Sequence, residues 1–351
     1  MSIKDFAAKY EAENGSPLKM IHIDKDYGVP EGANTFGKYM DPNDPPNDFV
    51  GGSNLLSVTR AADRFGYAIN SLDGITQVVV DYNGARTTLD KVPNVLFYCG
   101  FNEIEEIPDE FSKMSNIFCV FLARNKIKSI TNNFPPITRI YLDYNYIKNL
   151  PTAMYYPGLK KLSVESNPLG VMLPLIGNCT QIVDLEFDNT GMTVIPDEIS
   201  NCRKLRVFSV TSNNISSIPA SFVQKVSVGK EVRLDDNPKL TTIPYQPGYA
   251  WGTMKATISI EKTGINVASL DPALQKRINN TFKEKPGIKY RDVGIGGHSY
   301  VKWIIVILIT LIVIILLGII LYLLLRNGKE PAKREPLLRG VQHPQRSMAY
   351  P

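Results

Sequence analysis

Apolar and polar positions alternate in a repeating pattern over residues 75–265, and the repeat domain is predicted to cover residues 75–268. In each copy, apolar side chains occupy the first, fourth, sixth and eleventh places, as in Ile137, Ile140, Leu142 and Ile147. The period-2 alternation at the fourth and sixth places predicts a short strand with one buried face. An Asn or Thr stands at the ninth place in nine copies: Asn83, Asn102, Asn125, Asn145, Asn167, Thr190, Asn213, Asn237 and Thr263. Their spacing of 19 to 26 residues predicts a solenoid whose turns bury their apolar faces against each other.

The clearest copies carry a family resemblance. They read "ITRIYLDYNYIKNLP" (137–151), "LKKLSVESNPL" (159–169) and "LRVFSVTSNNISSIP" (205–219). This pattern resembles the leucine-rich repeat family, whose consensus is L-x-x-L-x-L-x-x-N-x-L. The resemblance implies an α/β solenoid, a horseshoe of about nine turns with a parallel sheet on its concave side. It also implies a module that binds other molecules.

The ninth place is predicted to be internal. An Asn amide has donors and an acceptor, which can satisfy buried backbone groups where the chain turns off the strand. Thr190 and Thr263 keep one donor and acceptor and precede Gly, so we interpret them as true repeats with a variant turn. The terminal copies are degenerate, since Asn94 and Lys255 replace apolar residues there, as is common in turns that also act as caps.

The flanking segments have different patterns. Residues 1–52 are polar and are predicted to be a leader and linker. Residues 53–74 have helical apolar spacing, with Ser53 as N-cap, and predict a helix that covers the first turn. Residues 269–284 predict a second capping helix, with Asp271 as N-cap and Pro272 at its first position. Residues 285–302 are predicted to be a tether.

A membrane span is predicted after the tether. Residues 303–325 form an uncharged apolar run of 23 residues, about 34 Å long as a helix. The tail, 326–351, holds six Lys or Arg against two Glu, so it carries +4 of the net charge of +5. The repeats are therefore nearly neutral, which gives no reason to expect nucleic-acid binding. The basic tail is predicted to contact anionic lipid headgroups.

The orientation of the span leaves alternatives open. Lys302 is the only basic residue in the ten before the span, whereas Arg326, Lys329, Lys333 and Arg334 follow it. The positive-inside rule then predicts a cytoplasmic C-terminus and extracytoplasmic repeats, at the plasma membrane or an endomembrane. The first twenty residues contain no apolar signal-peptide core. Three explanations for the missing signal-peptide core compete: an incomplete N-terminus, translocation of the N-terminal domain by the span itself, or a tail-anchored protein with cytosolic repeats.

The cysteines and sequons bear on the same question. Cys179 and Cys202 lie in a column of apolar residues and are predicted to fill the core, with a disulfide as the alternative. The paired-cysteine caps of many extracellular leucine-rich repeat proteins are missing, which counts against a secretory origin. N-x-S/T sequons begin at Asn178, Asn214 and Asn279, where glycosylation is possible.

No catalytic pattern is present in the sequence. The three histidines, His22, His298 and His343, all lie outside the repeats. There is no phosphate-binding glycine loop and no metal-ligand spacing of Cys and His. We therefore expect a binding module that is not an enzyme and that uses no cofactor or metal.

The repeat register predicts which side chains face a ligand. Places three, five, seven, eight and ten should point to the concave surface. The aromatic candidates there are Tyr82, Tyr98, Phe101, Phe121, Tyr141, Tyr144 and Tyr146. The acidic candidates are Asp143, Glu165, Asp184, Glu186, Asp188, Asp235 and Asp236. This distribution predicts a groove for a protein or peptide with an apolar end and a basic end. The alternative is that the rings only stabilise the sheet laterally.

These expectations combine into one function. The chain resembles receptor-like leucine-rich repeat proteins that have a single span, a short tail and no kinase. A tail of 26 residues has no room for a signalling domain, so a receptor or adhesion role would use a membrane co-receptor. The alternative is a tail-anchored cytosolic scaffold or regulatory subunit.

Overall fold

A computed structural model describes residues 1–23 and 52–279 of the chain. The strands of this part are β1 (Leu18–Lys19), β2 (Ile21–Ile23), β3 (Ser53–Ser57), β4 (Val79–Tyr82), β5 (Ala85–Thr88), β6 (Val95–Tyr98), β7 (Glu106–Ile107), β8 (Ile117–Phe121), β9 (Ser129–Ile130), β10 (Arg139–Tyr141), β11 (Lys161–Ser163), β12 (Asp184–Glu186), β13 (Val207–Ser209), β14 (Glu231–Arg233) and β15 (Thr257–Ser259). The α-helices are α1 (Ile3–Asn14), α2 (Ala61–Phe65), α3 (Ala220–Lys225), α4 (Ala250–Thr253) and α5 (Pro272–Gln275). Short 3₁₀ helices cover Ile75–Gln77, Leu89–Lys91, Asp109–Lys113, Thr152–Met154, Pro174–Asn178, Asp197–Asn201 and Val267–Ser269.

One sheet of ten strands runs through the described part of the chain. Its order is β15-β14-β13-β12-β11-β10-β8-β6-β3-β2. The strands from β3 to β15 pair in parallel, and only β2 is antiparallel, to β3. In the register, Arg139 lies beside Lys161, which lies beside Asp184. Equivalent places of successive repeats are therefore neighbours, and the predicted solenoid with a long parallel sheet is confirmed.

The core lies between this sheet and the helical segments that return the chain to the next strand. Ile140 and Leu142, at the fourth and sixth places, are fully buried, as are Phe222 and Trp251 from two of the returning helices. Phe222 contacts the edge of the Trp251 ring at a centroid distance of 5.4 Å. Each turn thus contributes apolar side chains from both its strand and its helix, and neighbouring turns share them.

Cys179 and Cys202 lie in this core as free thiols, both fully buried. The Cys202 Sγ lies 3.3 Å from the carbonyl oxygen of Ile176. Burial raises the pKa of each thiol to about 12, so both stay protonated at neutral pH. They act as small apolar residues, and the disulfide alternative does not occur in this structure.

The N-terminal end differs from the predicted capping helix at 53–74. Ser53–Ser57 is strand β3, and the helix that follows it, α2, has five residues. Leu56 packs into the main core, while Leu55 packs into a separate apolar cluster on the opposite face. A strand buried on both faces has no period-2 alternation, so its apolar run was compatible with a helix.

The first predicted repeat is also not a turn of the solenoid. Asn83 and Gly84 form the two-residue turn of an antiparallel hairpin between β4 and β5, with φ of 54° and 79°. The Gly84 N–H donates to the Asp81 carboxylate at 2.8 Å. The hairpin belongs to a three-stranded sheet with β1, so Asn83 is not a member of the ladder. The solenoid instead begins at β3.

The segment predicted to be a polar leader begins with a helix that packs on the repeats. Ser2 caps α1, because its Oγ accepts a hydrogen bond from the Asp5 N–H at 3.1 Å. Ile3 and Phe6 are fully buried. The Phe6 ring meets Phe65 edge-on at 5.4 Å. The helix and the three-stranded sheet together cover the start of the solenoid, since their buried side chains belong to the main core.

At the other end, the short helix α5 begins after Asp271, whose carboxylate accepts from the Ala273 N–H at 2.8 Å. Leu274 is buried, and a backbone bridge joins Ile278 to Ile258 of β15. The rest of the predicted cap, the tether, the span 303–325 and the tail 326–351 lie outside the described residues, as does the linker 24–51. Within residues 1–23 and 52–279, the helices are too short or too polar to span a bilayer.

Candidate functional site

The ninth-place asparagines form a hydrogen-bonded ladder under the concave face. The Asn167 side chain is 1% exposed, and its amide donates to the carbonyl oxygens of Leu142 (2.9 Å) and Val164 (3.0 Å). Its oxygen accepts from the Ile147 N–H of the preceding turn at 3.1 Å. Each rung therefore joins two turns through buried backbone groups. The equivalent rungs are Asn102, Asn125, Asn145, Asn213 and Asn237.

The chain has the leucine-rich repeat fold. Its two threonine repeats keep part of the ladder, because the Thr190 and Thr263 hydroxyls donate to carbonyl oxygens of their own strands at 2.9 and 2.8 Å. The Thr190 N–H donates to Asn213 Oδ1 at 3.0 Å. One hydroxyl supplies fewer donors than an amide, so these two rungs make fewer hydrogen bonds to the backbone than the asparagines do.

The residue before each of the eight rungs has a left-handed backbone, and so does Arg60 at the equivalent place after β3, where Ala61 stands instead of a rung. These nine residues have φ between 51° and 58°, and none is glycine: Arg60, Phe101, Arg124, Tyr144, Ser166, Asn189, Ser212, Asp236 and Lys262. Such a φ is uncommon for residues with a Cβ. Its repetition at one place shows that the leucine-rich repeat turn imposes it. We call these nine residues the rim row, because they follow the strands along one edge of the sheet.

The N-terminal part of the concave face holds a second apolar cluster, separate from the main core. Its buried members are Leu55, Leu96, Tyr98, Cys119, Phe121 and Ala123. The Tyr98 and Phe121 rings stack at 5.3 Å with an interplanar angle of 14°. Gly100 permits this arrangement, because a Cβ there would lie 2.4 Å from the Phe121 ring. The rings are therefore fitted closely to the sheet.

The predicted aromatic residues differ in accessibility. Tyr98 and Phe121 are each 4% exposed. They therefore pack beneath the concave surface and offer a ligand little contact area. Phe101, Tyr141 and Tyr144 are partly exposed, and Tyr146 is 58% exposed. Tyr82 ends β4 in the three-stranded sheet, so it does not belong to this face. The accessible aromatic side chains lie over β6 to β10.

The rim row begins with alternating guanidinium and aromatic groups. The Arg60 guanidinium lies 4.9 Å from the Phe101 ring centroid, and Arg124 lies 5.7 Å from the same ring. Arg124 also covers the Tyr144 ring at 4.1 Å. The Tyr144 hydroxyl donates to Glu165 Oε1 at 2.9 Å. Burial, together with this carboxylate, raises the pKa of Tyr144 well above its usual range, so the hydroxyl keeps its proton.

Three predicted ligand-binding carboxylates instead join neighbouring turns. The Asp143 Oδ1 accepts from the Ser163 hydroxyl at 2.5 Å and from the Glu165 N–H at 2.9 Å. Asp188 and Asp235 make the same pair of bonds to the next turn, to Ser209 and Thr211 and to Ser259 and Glu261, respectively. Each carboxylate satisfies a backbone N–H just past the strand end. These acids are structural parts of the leucine-rich repeat sheet.

The remaining buried acids pair with basic residues. Lys161 Nζ lies 2.8 Å from Glu186 Oε1 and 4.0 Å from Asp184 Oδ2, and Arg206 approaches Asp184 at 3.6 Å. Burial disfavours the charge on Lys161, but the carboxylates outweigh it and raise the pKa of its ammonium well above the usual range. Asp236 is exposed and accepts from the Ser212 hydroxyl at 3.0 Å.

Lys161 and Arg233 could be placed on the concave surface from the repeat register, but three arginines of the site were not. Arg60, Arg124 and Arg206 were not among the candidates, although Arg124 precedes a clear ladder asparagine. Counting one place back from each rung would have placed it in the rim row. Arg60 was hidden, because its repeat was read as a helix.

The described residues hold no group of three or more His, Cys, Asp or Glu side chains placed to bind a metal. The three sequon asparagines, Asn178, Asn214 and Asn279, are exposed. Glycan addition at these positions would therefore require no change in the fold.

Comparison of the sequence with protein-family models and with curated proteins gave no match. Solved structures with a similar fold include a leucine-rich repeat protein of Leptospira interrogans, at 17% identity and a TM-score of 0.41, covering 52% of each chain. InlJ of Listeria monocytogenes matches at 13% identity and a TM-score of 0.41, over 64% of this chain and 56% of its own. The ectodomain of a membrane receptor kinase of Arabidopsis thaliana matches at 18% identity and 0.41, over 62% and 27%. The chain thus spans about half or less of these proteins, and the similarity concerns the fold alone.

Proposed function

We propose that the concave face binds a protein or peptide, over the partly exposed residues of β6 to β11. The supporting observation is that Tyr141 ends a strand of one parallel sheet, while Phe101 and Tyr144 follow strands of the same sheet, whose turns the ladder asparagines join by hydrogen bonds. Aromatic side chains lose little conformational entropy on binding and often dominate interface energies. Because Tyr98 and Phe121 are already packed, they support these residues from below.

Photocrosslinking tests this proposal directly. A benzoylphenylalanine placed at Tyr141 or Tyr144 in the full chain should crosslink a partner in cells. The same group at the exposed residue Val194, which lies outside the strands and the rim row, should not. The Tyr144→Ala variant should then weaken capture of that partner about tenfold or more, as loss of an interface hot spot does.

Two outcomes would contradict the proposed binding surface. Equal crosslinking from Val194 and from both tyrosines would place the contact elsewhere on the solenoid. Capture that is unchanged by Tyr144→Ala, with an unchanged urea midpoint, would remove the aromatic residues from the interface.

We further propose that the chain is a single-pass membrane protein with a receptor-like or adhesion role. The apolar run at 303–325 and the basic residues after it support a cytoplasmic tail and extracytoplasmic repeats. The exposed sequon asparagines agree with this orientation. A co-receptor in the same membrane is a proposed partner, and the basic tail would contact anionic lipid.

A topology experiment tests this orientation. In sealed microsomes, we expect the repeats to be protected from added protease and the chain to lose mass after glycosidase treatment. Replacing Asn178, Asn214 and Asn279 with Gln should abolish the glycosidase shift. Digestion of the repeats in intact microsomes would contradict the orientation.

That contrary result would support the second candidate, a tail-anchored cytosolic scaffold or regulatory subunit. The observation that favours it is that all four cysteines, each within the described residues, are buried free thiols. Disulfides are common in extracellular domains and rare in the reducing cytosol. The same concave face would then hold a partner at the cytosolic surface of a membrane.

A further inference from the structure

The first turns of the rim row present two guanidinium groups held by aromatic rings. Arg124 lies against both Phe101 and Tyr144, at 5.7 and 4.1 Å from the ring centroids, and Arg60 lies 4.9 Å from Phe101. These contacts limit the orientations open to long side chains. Arg60 also lies 3.7 Å from Asp63, whose side chain is 68% exposed, and an exposed ion pair of this kind is weak.

Stacked guanidinium groups are suited to bind carboxylates. The ring contact uses the flat face of the guanidinium, whereas its N–H donors lie in its plane. A carboxylate can therefore form two parallel hydrogen bonds to a group that is already stacked on a ring. Because the rings fix its orientation beforehand, less side-chain entropy is lost on binding.

Five acids of the concave face already have partners within the sheet. Asp143, Asp188 and Asp235 each accept from a hydroxyl and a backbone N–H of the next turn. Asp184 and Glu186 lie beside Lys161 and Arg206. Beside Arg60 and Arg124 the charge expected of a ligand is acidic, whereas the basic end predicted from the sequence concerns the later repeats.

The spacing of the two arginines defines the ligand further. Arg60 follows β3 and Arg124 follows β8, two strands away in the sheet. Neighbouring strands are about 4.8 Å apart, so the two groups are separated by about 10 Å. In a polyproline II peptide, side chains three residues apart share a face at about 9.3 Å. Same-face side chains of a β-strand are instead separated by about 7 or 13 Å.

We propose that Arg60 and Arg124 bind an acidic peptide in the polyproline II conformation, through two carboxylates three residues apart. This inference rests on the proposed function and names the partner's chemistry. Phe101 and Tyr144 would contact the peptide between and beside the two acids. The partner is thus a protein segment of the type Glu-x-x-Glu, rich in proline.

Fluorescence anisotropy with the full chain in detergent micelles tests the proposal. The probe is a short fluorescent peptide centred on Glu-Pro-Pro-Glu. A peptide with Pro-Glu-Glu-Pro has the same charge and the wrong spacing, and one with Gln-Pro-Pro-Gln has no charge. We expect the first to bind at least tenfold more tightly than either control.

Protein variants locate the contact. Arg124→Gln should weaken binding of the Glu-Pro-Pro-Glu peptide by tenfold or more, and Arg60→Gln should weaken it similarly. Arg124→Lys should not restore binding, because an ammonium cannot make the bidentate contact or stack flat on the rings. Arg203→Gln removes an exposed arginine on a different part of the repeats and should leave binding unchanged. Unchanged urea midpoints would show that each variant is folded.

Several results would overturn the proposal. These are equal binding of the three peptides, no binding of any of them, or equal losses in the Arg124 and Arg203 variants. Arg124-dependent binding of a single-stranded RNA oligonucleotide, without peptide binding, would assign the arginines to phosphate instead. If partner crosslinks from Tyr141 and Tyr144 persist in Arg124→Gln, the proposed function stands and this inference fails.

Discussion

Replacing Asn167 with Ala is expected to lower the free energy of unfolding by about 4 kcal/mol. The side chain donates to the carbonyl oxygens of Leu142, Val164 and Glu165 and accepts from the Ile147 N–H, all between 2.9 and 3.2 Å. Alanine leaves these buried backbone groups without that partner. Each unsatisfied buried group costs about 1–3 kcal/mol. Water cannot easily replace the amide, because the site is 1% exposed.

Urea denaturation of the full chain in micelles, followed by circular dichroism, measures this loss. Asn149→Ala, at an exposed position of the preceding turn, is the matched control and should change stability by less than about 0.5 kcal/mol. Asn167→Asp separates shape from hydrogen bonding, since it keeps an acceptor and loses all donors. We expect it to be at least as harmful as alanine.

A second consequence follows from the repeat architecture. Solenoid stability is the sum of terms within turns and between neighbouring turns. Because Asn167 joins its own turn to the preceding one, its loss should also broaden the unfolding transition. A sharp transition with an unchanged midpoint in Asn167→Asp would mean that the amide donors contribute little to the coupling between turns.

The regular turns could be predicted from the sequence because each of their determinants is local. The ladder asparagines, the apolar fourth and sixth places and the variant threonines all follow from one register, and the structure places them as that register requires. The same counting located Asp143 and Glu186 on the concave face. It could not tell that these acids are used within the sheet, because their partners belong to the next turn.

The N-terminal end could not be predicted in this way. Asn83 occupies a plausible ninth place, yet Asn-Gly between two short strands is a strong signal for a type I′ hairpin. The repeat period points to a solenoid turn at Asn83, in conflict with this local signal. In β3, Leu55 and Leu56 face two different apolar clusters. The second cluster could not be predicted from the sequence of β3, because its members come from several neighbouring strands.

The buried charges of the concave face lead to the other large expected effect. Lys161→Met should destabilise the fold by about 3–4 kcal/mol. The ammonium lies 2.8 Å from Glu186, and the two side chains are only 14% and 8% exposed. Removing one member of a buried ion pair leaves the other charge poorly solvated, which typically costs about 3–5 kcal/mol. Asp184 loses less charge compensation than Glu186 does in this variant, because Arg206 also lies 3.6 Å from Asp184.

A double variant distinguishes two contributions: the cost of leaving the Glu186 charge buried without its partner, and the loss of the Lys161–Glu186 attraction itself. Lys161→Met combined with Glu186→Met removes both charges and keeps similar volumes, so stability should return to within about 1 kcal/mol of the native chain. Lys148→Met, at an exposed lysine, is the control for methionine itself. If Lys161→Met behaves like Lys148→Met, the pair is hydrated like a surface ion pair and contributes at most about 1 kcal/mol. The middle of the concave face would then be wet, and a ligand could displace its water instead of contacting a fixed network of charges.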